Sequence, residues 1–122
     1  MKEPGPDHPI VIAPHPAAVS VRVAGTLVAH TRNALRLTEA RYPPVLYIPR
    51  ADVRADLLRP NPRTTQCPYK GEAHYFDLAV GDDLRSAAAW SYETPFPAVA
   101  AIRGHLAFYP DRVDAIEEEP GL

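Results

Sequence analysis

A chain of 122 residues with 13 Lys+Arg against 15 Asp+Glu can bury one core without metal or disulfide support, and its near-neutral balance excludes a whole-surface attraction to nucleic acid or an anionic membrane. One cysteine excludes an internal disulfide, and no apolar run approaches the ~20 residues of a bilayer-spanning helix. Its 15 prolines exclude long helices, since each removes a backbone donor and clashes with the preceding turn, so short strands and tight turns are expected.

Residues 1–18 read as an extended arm, with Pro4, Gly5 and Pro6 near its start and an edge strand at Pro9-Ile10-Val11-Ile12, where proline is tolerated. Val19, Val21 and Val23 alternate with Ser20, Arg22 and Ala24, the period of a half-buried strand. Thr26 to His30 returns, making a hairpin with its turn at Gly25. Leu35 and Leu37 alternate within Ala34 to Thr38, which predicts an antiparallel meander. Tyr42-Pro43-Pro44 holds the backbone extended into a central strand, Val45 to Ile48, stopped by Pro49.

Residues 51–59 predict one α-helix of about two turns: Val53 and Leu57 share a face, Asp52 favours the amino end and Pro60 closes it. A strand then runs from His74 to Val80, with Phe76, Leu78 and Val80 toward the core and Tyr75 and Asp77 on the other side. Gly81-Asp82-Asp83 turns into a strand over 87–92, Pro95 and Pro97 force a loop, and Ala98 to Ile102 predicts a short helical turn. Strands over 105–109 and 112–116 flank a turn at Pro110-Asp111, and residues 117–122 read as a solvated acidic tail. The expected fold is a single mainly β domain over 19–116, a curved pair of antiparallel sheets or a partly open barrel with roughly seven to nine short strands and one short α-helix.

Chemistry concentrates in Thr64 to Tyr75, which holds the sole cysteine, Lys70, two tyrosines and His74. Pro68 fixes the entering backbone and Gly71 permits conformations closed to other residues, so Lys70 is presented from a specified turn and suits an anionic ligand. Cys67 is a candidate nucleophile if Lys70 or His74 lowers its thiol pKa, or else a small buried apolar residue. Cys67 and Lys70 are therefore the catalytic candidates. Arg50 and Asp52 form either a fork for a carboxylate or phosphate, or a structural ion pair with capping. Tyr75, Trp90 and Tyr92 form either an aromatic wall for a flat ligand or core. The five histidines are scattered singly beside one cysteine, so no metal site is expected.

Tyr47-Ile48-Pro49-Arg50 with Asp52-Val53, Thr65, Cys67-Pro68-Tyr69-Lys70-Gly71 and Tyr75, Ala89-Trp90-Ser91-Tyr92 with Pro95, and Ala107-Phe108-Tyr109 with Arg112-Val113-Asp114 are four blocks in one order. On these the chain, from about Val19 to Asp114, resembles the domain of unknown function 427 family, also labelled nucleotidyltransferase family 9. The resemblance implies a small, mainly β protein of a bacterial and fungal family without an established activity, and a shared site at these blocks. The residues lack the Gly-Ser pair with two carboxylates one residue apart that nucleotidyltransferases use, and Asp82-Asp83, being adjacent, would point to opposite faces of a strand. A Gly-x-x-x-x-Gly-Lys-Ser/Thr phosphate loop is absent too.

The expected function is binding or transformation of a small polar or anionic ligand around the Cys-Pro-Tyr-Lys-Gly turn; the alternative is a non-catalytic protein or peptide binding module. Whether the chain is an enzyme stays open, no cofactor is assigned, and no nucleic-acid or membrane partner is expected. The edge near Ile10-Val11-Ile12 leaves monomer and homodimer open. A lone cysteine and no charged-apolar-small leader at Met1-Lys2-Glu3-Pro4 point to the cytoplasm.

Overall fold

In the computed structural model, which describes residues 1–120, the alternating apolar pattern is realised as ten strands. They are β1 (Ile10–Pro14), β2 (Ala17–Val23), β3 (Thr26–Thr31), β4 (Leu35–Glu39), β5 (Val45–Pro49), β6 (Leu58–Cys67), β7 (Gly71–Val80), β8 (Asp83–Ser91), β9 (His105–Phe108) and β10 (Ala115–Pro120). Seven form an open sheet in the order β1-β4-β5-β9-β8-β7-β6, and three form a second, β10-β2-β3. Every ladder is antiparallel. The chain is thus mainly β, and among the described residues no helix is long and apolar enough to cross a membrane.

The β2–β3 hairpin turns on Ala24 and Gly25, both at positive φ (49° and 75°), the pair of signs a two-residue type I′ turn demands. The Ala24 N–H is anchored by Asp114 Oδ2 at 2.6 Å. The expected meander does not continue from β3 into β4. Thr31, buried, uses its Oγ1 to accept the Asn33 N–H at 2.9 Å and to donate to Asp52 at 2.7 Å. That local bond bends the chain out of the small sheet, and β4 pairs instead with β1 and β5.

Three further expectations change. The α-helix over 51–59 is replaced by two 3₁₀ turns, Arg50–Asp52 and Ala55–Leu57, separated by extended backbone at Val53 and Arg54. Val53 forms a β-bridge with Ala29 and the Arg54 N–H bonds the Val28 carbonyl, so pairing of this connection with β3 of the small sheet overrides the helical pattern. The ten-residue β6, unforeseen because it carries Pro60 and Pro62, is an edge strand paired only with β7, where missing donors face outward. The closing strand begins at Ala115, three residues beyond the expected Arg112, and Glu117 to Glu119, read as a solvated tail, pair with β2. Their side chains are exposed while their backbone is ordered; Gly121 and Leu122 of that tail lie outside the described residues.

The larger sheet is buried on both faces. Toward the small sheet, Ile48, Leu58, Phe76, Leu78, Ala89, Leu106 and Phe108 pack on Val19, Val21, Val23 and Val28. On the opposite face Leu37, Tyr47, Ala73, Tyr75, Tyr92 and Ala107 pack with Val99 and Ile102 of the 3₁₀ segment Pro97–Ile102. Tyr75 therefore points away from Phe76 and Leu78, as strand alternation requires, but into a second core.

Candidate functional site

The Pro68-Tyr69-Lys70 turn joins β6 to β7, closed by the Cys67–Gly71 pair. Gly71 sits at φ 113°, a conformation L side chains rarely adopt, and is covered by residues 94–96; the Phe96 N–H bonds the Lys70 carbonyl at 3.0 Å. The amino-terminal arm docks on the same turn. The Lys2 N–H donates to the Pro68 carbonyl at 2.7 Å, and the His8 ring stacks on Tyr69 with centroids 3.9 Å apart and planes 8° off parallel.

From this turn Lys70 reaches β4 and donates to Glu39 Oε1, while His8 Nε2 donates to Glu39 Oε2 at 2.7 Å. Lys70 and Glu39 are only 12% and 13% exposed, so the pair is largely withdrawn from water. Burial pushes the Glu39 carboxyl up, but the hydrogen bonds and charges of Lys70 and His8 outweigh it and hold the group below its ordinary range.

Beside the pair lies a cavity of about 180 Å³, lined by Leu37, Glu39, Lys70, Tyr75, Trp90 and Tyr109 among others. Its aromatic wall is ordered by ring contacts. Trp90 lies 4.4 Å from Tyr109 and meets Tyr47 edge-on at 6.4 Å, and Tyr75 stacks on Tyr109 at 6.4 Å. The Tyr75 hydroxyl bonds Thr65 Oγ1 at 2.9 Å and Tyr109 at 3.3 Å. Burial, then the Tyr75 hydrogen bond, pushes the Tyr109 hydroxyl up to about 12, and burial raises Tyr47 and Tyr92 further. All three phenols stay protonated at neutral pH and keep their O–H groups. A more apolar cleft of about 270 Å³ between the sheets shares Val45 and Trp90 with this cavity, and its one charged lining group is Glu118.

Of the residues singled out by sequence, Lys70, Tyr75, Trp90 and Tyr92 converge on the cavity. Cys67 is half-buried against the aromatic cluster and does not line it. Among the described residues, Lys70 pairs with Glu39 and His74 with Glu72 at 3.1 Å, and neither hydrogen-bonds the thiol. Arg50 and Asp52 lie elsewhere: Arg50 sits over the Phe76 ring at 4.9 Å and bonds Glu93 at 3.2 Å, while Asp52 accepts from Thr31. Glu39 and His8 escaped the sequence reading, and Tyr47 and Tyr109 stood within its blocks without being singled out as site residues. Glu39 carried a signal, since Leu35, Leu37 and Glu39 continue one period-two face, so a carboxylate there points where the leucines point. His8 carried none, because only the docking of the arm brings it to Glu39.

Two antiparallel sheets, one bearing a polar and aromatic cavity on its outer face, make a small β-sandwich-like fold. The family model described as Domain of unknown function (DUF427) matches residues 11–119, and the chain belongs to that family. No curated protein matches the chain.

Proposed function

We propose that this domain binds a small, single-ring molecule rich in hydrogen-bond acceptors in the cavity between Lys70 and Tyr109. The carrying observation is the meeting of the partly buried Lys70–Glu39 pair with phenol hydroxyls and the Trp90 ring around one space of about 180 Å³. That volume suits one ring, since a cavity of roughly 150 Å³ accommodates benzene. Lys70 has donors beyond the one given to Glu39, and the protonated phenols add more, so carbonyl or oxyanion acceptors match the lining. In this reading Lys70 and Glu39 fix the polar end, Tyr75, Tyr92 and Trp90 hold the ring, and Cys67 supports the aromatic cluster from behind. The reading includes a cytoplasmic setting, supported by a single thiol with no disulfide partner in the chain.

Trp90 is the sole tryptophan, so its emission reports the cavity directly. Titration with benzamide should quench it saturably in the wild type. Lys70→Met retains the stem's apolar packing and the fold, and should weaken benzamide roughly tenfold. Equal affinity in the two proteins, at low salt where charge is least screened, removes Lys70 from the site.

A second reading, a peptide or protein binding module, is favoured by β1, which ends the larger sheet with Val11 59% exposed on an edge open to strand addition. A wild type indifferent to every single-ring probe leaves this reading standing instead.

A further inference from the structure

Two irregularities in the larger sheet share one support. β6 shifts register between Asn61 and Thr64, and the β7–β8 ladder shifts between Phe76 and Leu78. Between them stands Asp77, whose Oδ1 accepts from Asn61 Nδ2 at 2.9 Å and from the Ala87 N–H at 2.7 Å. Ala87 sits at φ 48°, a left-handed conformation unfavourable for a residue with a Cβ, and the Asp77 bond helps to hold it there. Bulges re-aim the side chains beside them.

What these bulges aim is positive charge. Arg63, on the first, has its N–H fixed by Asn61 Oδ1 at 2.9 Å and its guanidinium over the Tyr75 ring at 4.8 Å. Arg112, after β9, is anchored on the second: its Nε and Nη2 donate to the Ser86 carbonyl at 3.2 and 2.7 Å. Among the described residues neither guanidinium has a carboxylate within ion-pair distance, unlike those of Arg22, Arg50, Arg54 and Arg85; Arg32, Arg36, Arg41, Arg59 and Arg103 share that lack, and what sets Arg63 and Arg112 apart is the groove they share. Arg63 and Arg112 line one open groove of about 420 Å³ together with Ser86, Ala87, Tyr109 and Asp111. Tyr109 also lines the aromatic cavity, so the groove and the cavity adjoin across a single ring.

We propose that this groove is an oxyanion subsite in which Arg63 and Arg112 hold the phosphate or carboxylate of the molecule whose ring occupies the cavity. The assignment of the ring rests on the reading of the cavity given above; the groove can be tested without it. Two guanidiniums held from behind, by a ring and a carbonyl, keep outward N–H groups for a planar or tetrahedral anion. Asp111 opposes an anion in the same wall, so the anion belongs on the arginine side of the groove.

The test uses the full chain at low salt, with Trp90 emission for ring probes and calorimetry for inorganic phosphate. Phenyl phosphate and phenylacetate are compared with neutral benzamide in the wild type and in Arg63→Gln/Arg112→Gln. An anionic probe should bind about tenfold tighter than benzamide, and the double variant should erase that gain while leaving benzamide unchanged. Preference for phenyl phosphate assigns a phosphate, and preference for phenylacetate a carboxylate. Ring probes that quench Trp90 with no anionic gain, or with a gain that survives in the double variant, overturn the subsite and leave the cavity reading intact. Arginine-dependent binding of inorganic phosphate with no response to any ring probe keeps the subsite and overturns the cavity reading. Absence of both phosphate binding and an anionic gain in the wild type overturns the subsite outright.

Discussion

The two faces of the seven-stranded sheet are built from alternate residues of the same strands and differ in kind. Phe76 and Leu78 of β7 point into an aliphatic layer shared with the valines of β2 and β3, where shape and volume are the only demands. Tyr75, their neighbour, points the opposite way into a layer of phenols and an indole, beside a carboxylate and an ammonium that bond each other. The first face contributes stability through buried apolar area, and the second combines packing with polar groups whose hydrogen-bonding capacity is not exhausted within the chain. A single sheet can thus divide its work by side-chain parity, provided both faces are covered. The small sheet covers one, and Pro97–Ile102 with the docked arm covers part of the other.

The strongest way to break this contrast is at the aliphatic face. Leu78 is fully buried, and Leu78→Ala should cost about 3 kcal/mol through lost transfer energy and the cavity left behind, read as a lower urea midpoint. Benzamide quenching of Trp90, measured where the variant is still folded, should be unchanged. A weakened titration would show that the two faces are coupled.

A smaller effect is expected at the ion pair. Glu39→Gln removes the carboxylate that Lys70 and His8 share and should cost about 2 kcal/mol, less than the loss of one partner from a fully buried pair because both groups keep some solvent contact. The folded chain holds the Glu39 carboxyl below its ordinary 4.5, so this contribution is complete above that value and is lost as the pH falls through the lower folded value. The difference in melting temperature between wild type and Glu39→Gln should therefore be constant near neutrality and close in acid. A gap that persists at the acid end would assign the effect to packing instead of charge.

The smallest effect sharpens the polar face. Tyr75→Phe keeps the ring stack on Tyr109 but deletes the hydroxyl that bonds Thr65 and Tyr109, for a loss of about 1 kcal/mol. Tyr109 should then ionise below its present value of about 12, although burial, the larger cause, keeps it above an ordinary tyrosine. An ultraviolet titration that leaves Tyr109 unmoved would mean the hydroxyl pair carries no coupling.

Much of this was written locally. Period-two alternation in Val19-Val21-Val23, Leu35-Leu37 and Phe76-Leu78 is a property of neighbouring residues, so strands and their inward faces were legible, as was the turn at Gly25. Lys70, Tyr75, Trp90 and Tyr92 stood out because of residue type within short blocks. Tertiary structure alone decided the rest. Val53 gave up a helix for a bridge to Ala29, β6 took shape because β7 offered a partner, and Glu117 to Glu119 were ordered by β2. The candidate site was completed by His8, Glu39 and Tyr109, through the bonds His8–Glu39, Glu39–Lys70 and Tyr75–Tyr109, which span 31, 31 and 34 positions. Pairing between strands and the meeting of distant charges depend on which segments the folded chain brings side by side, and local periodicity carries no record of that choice.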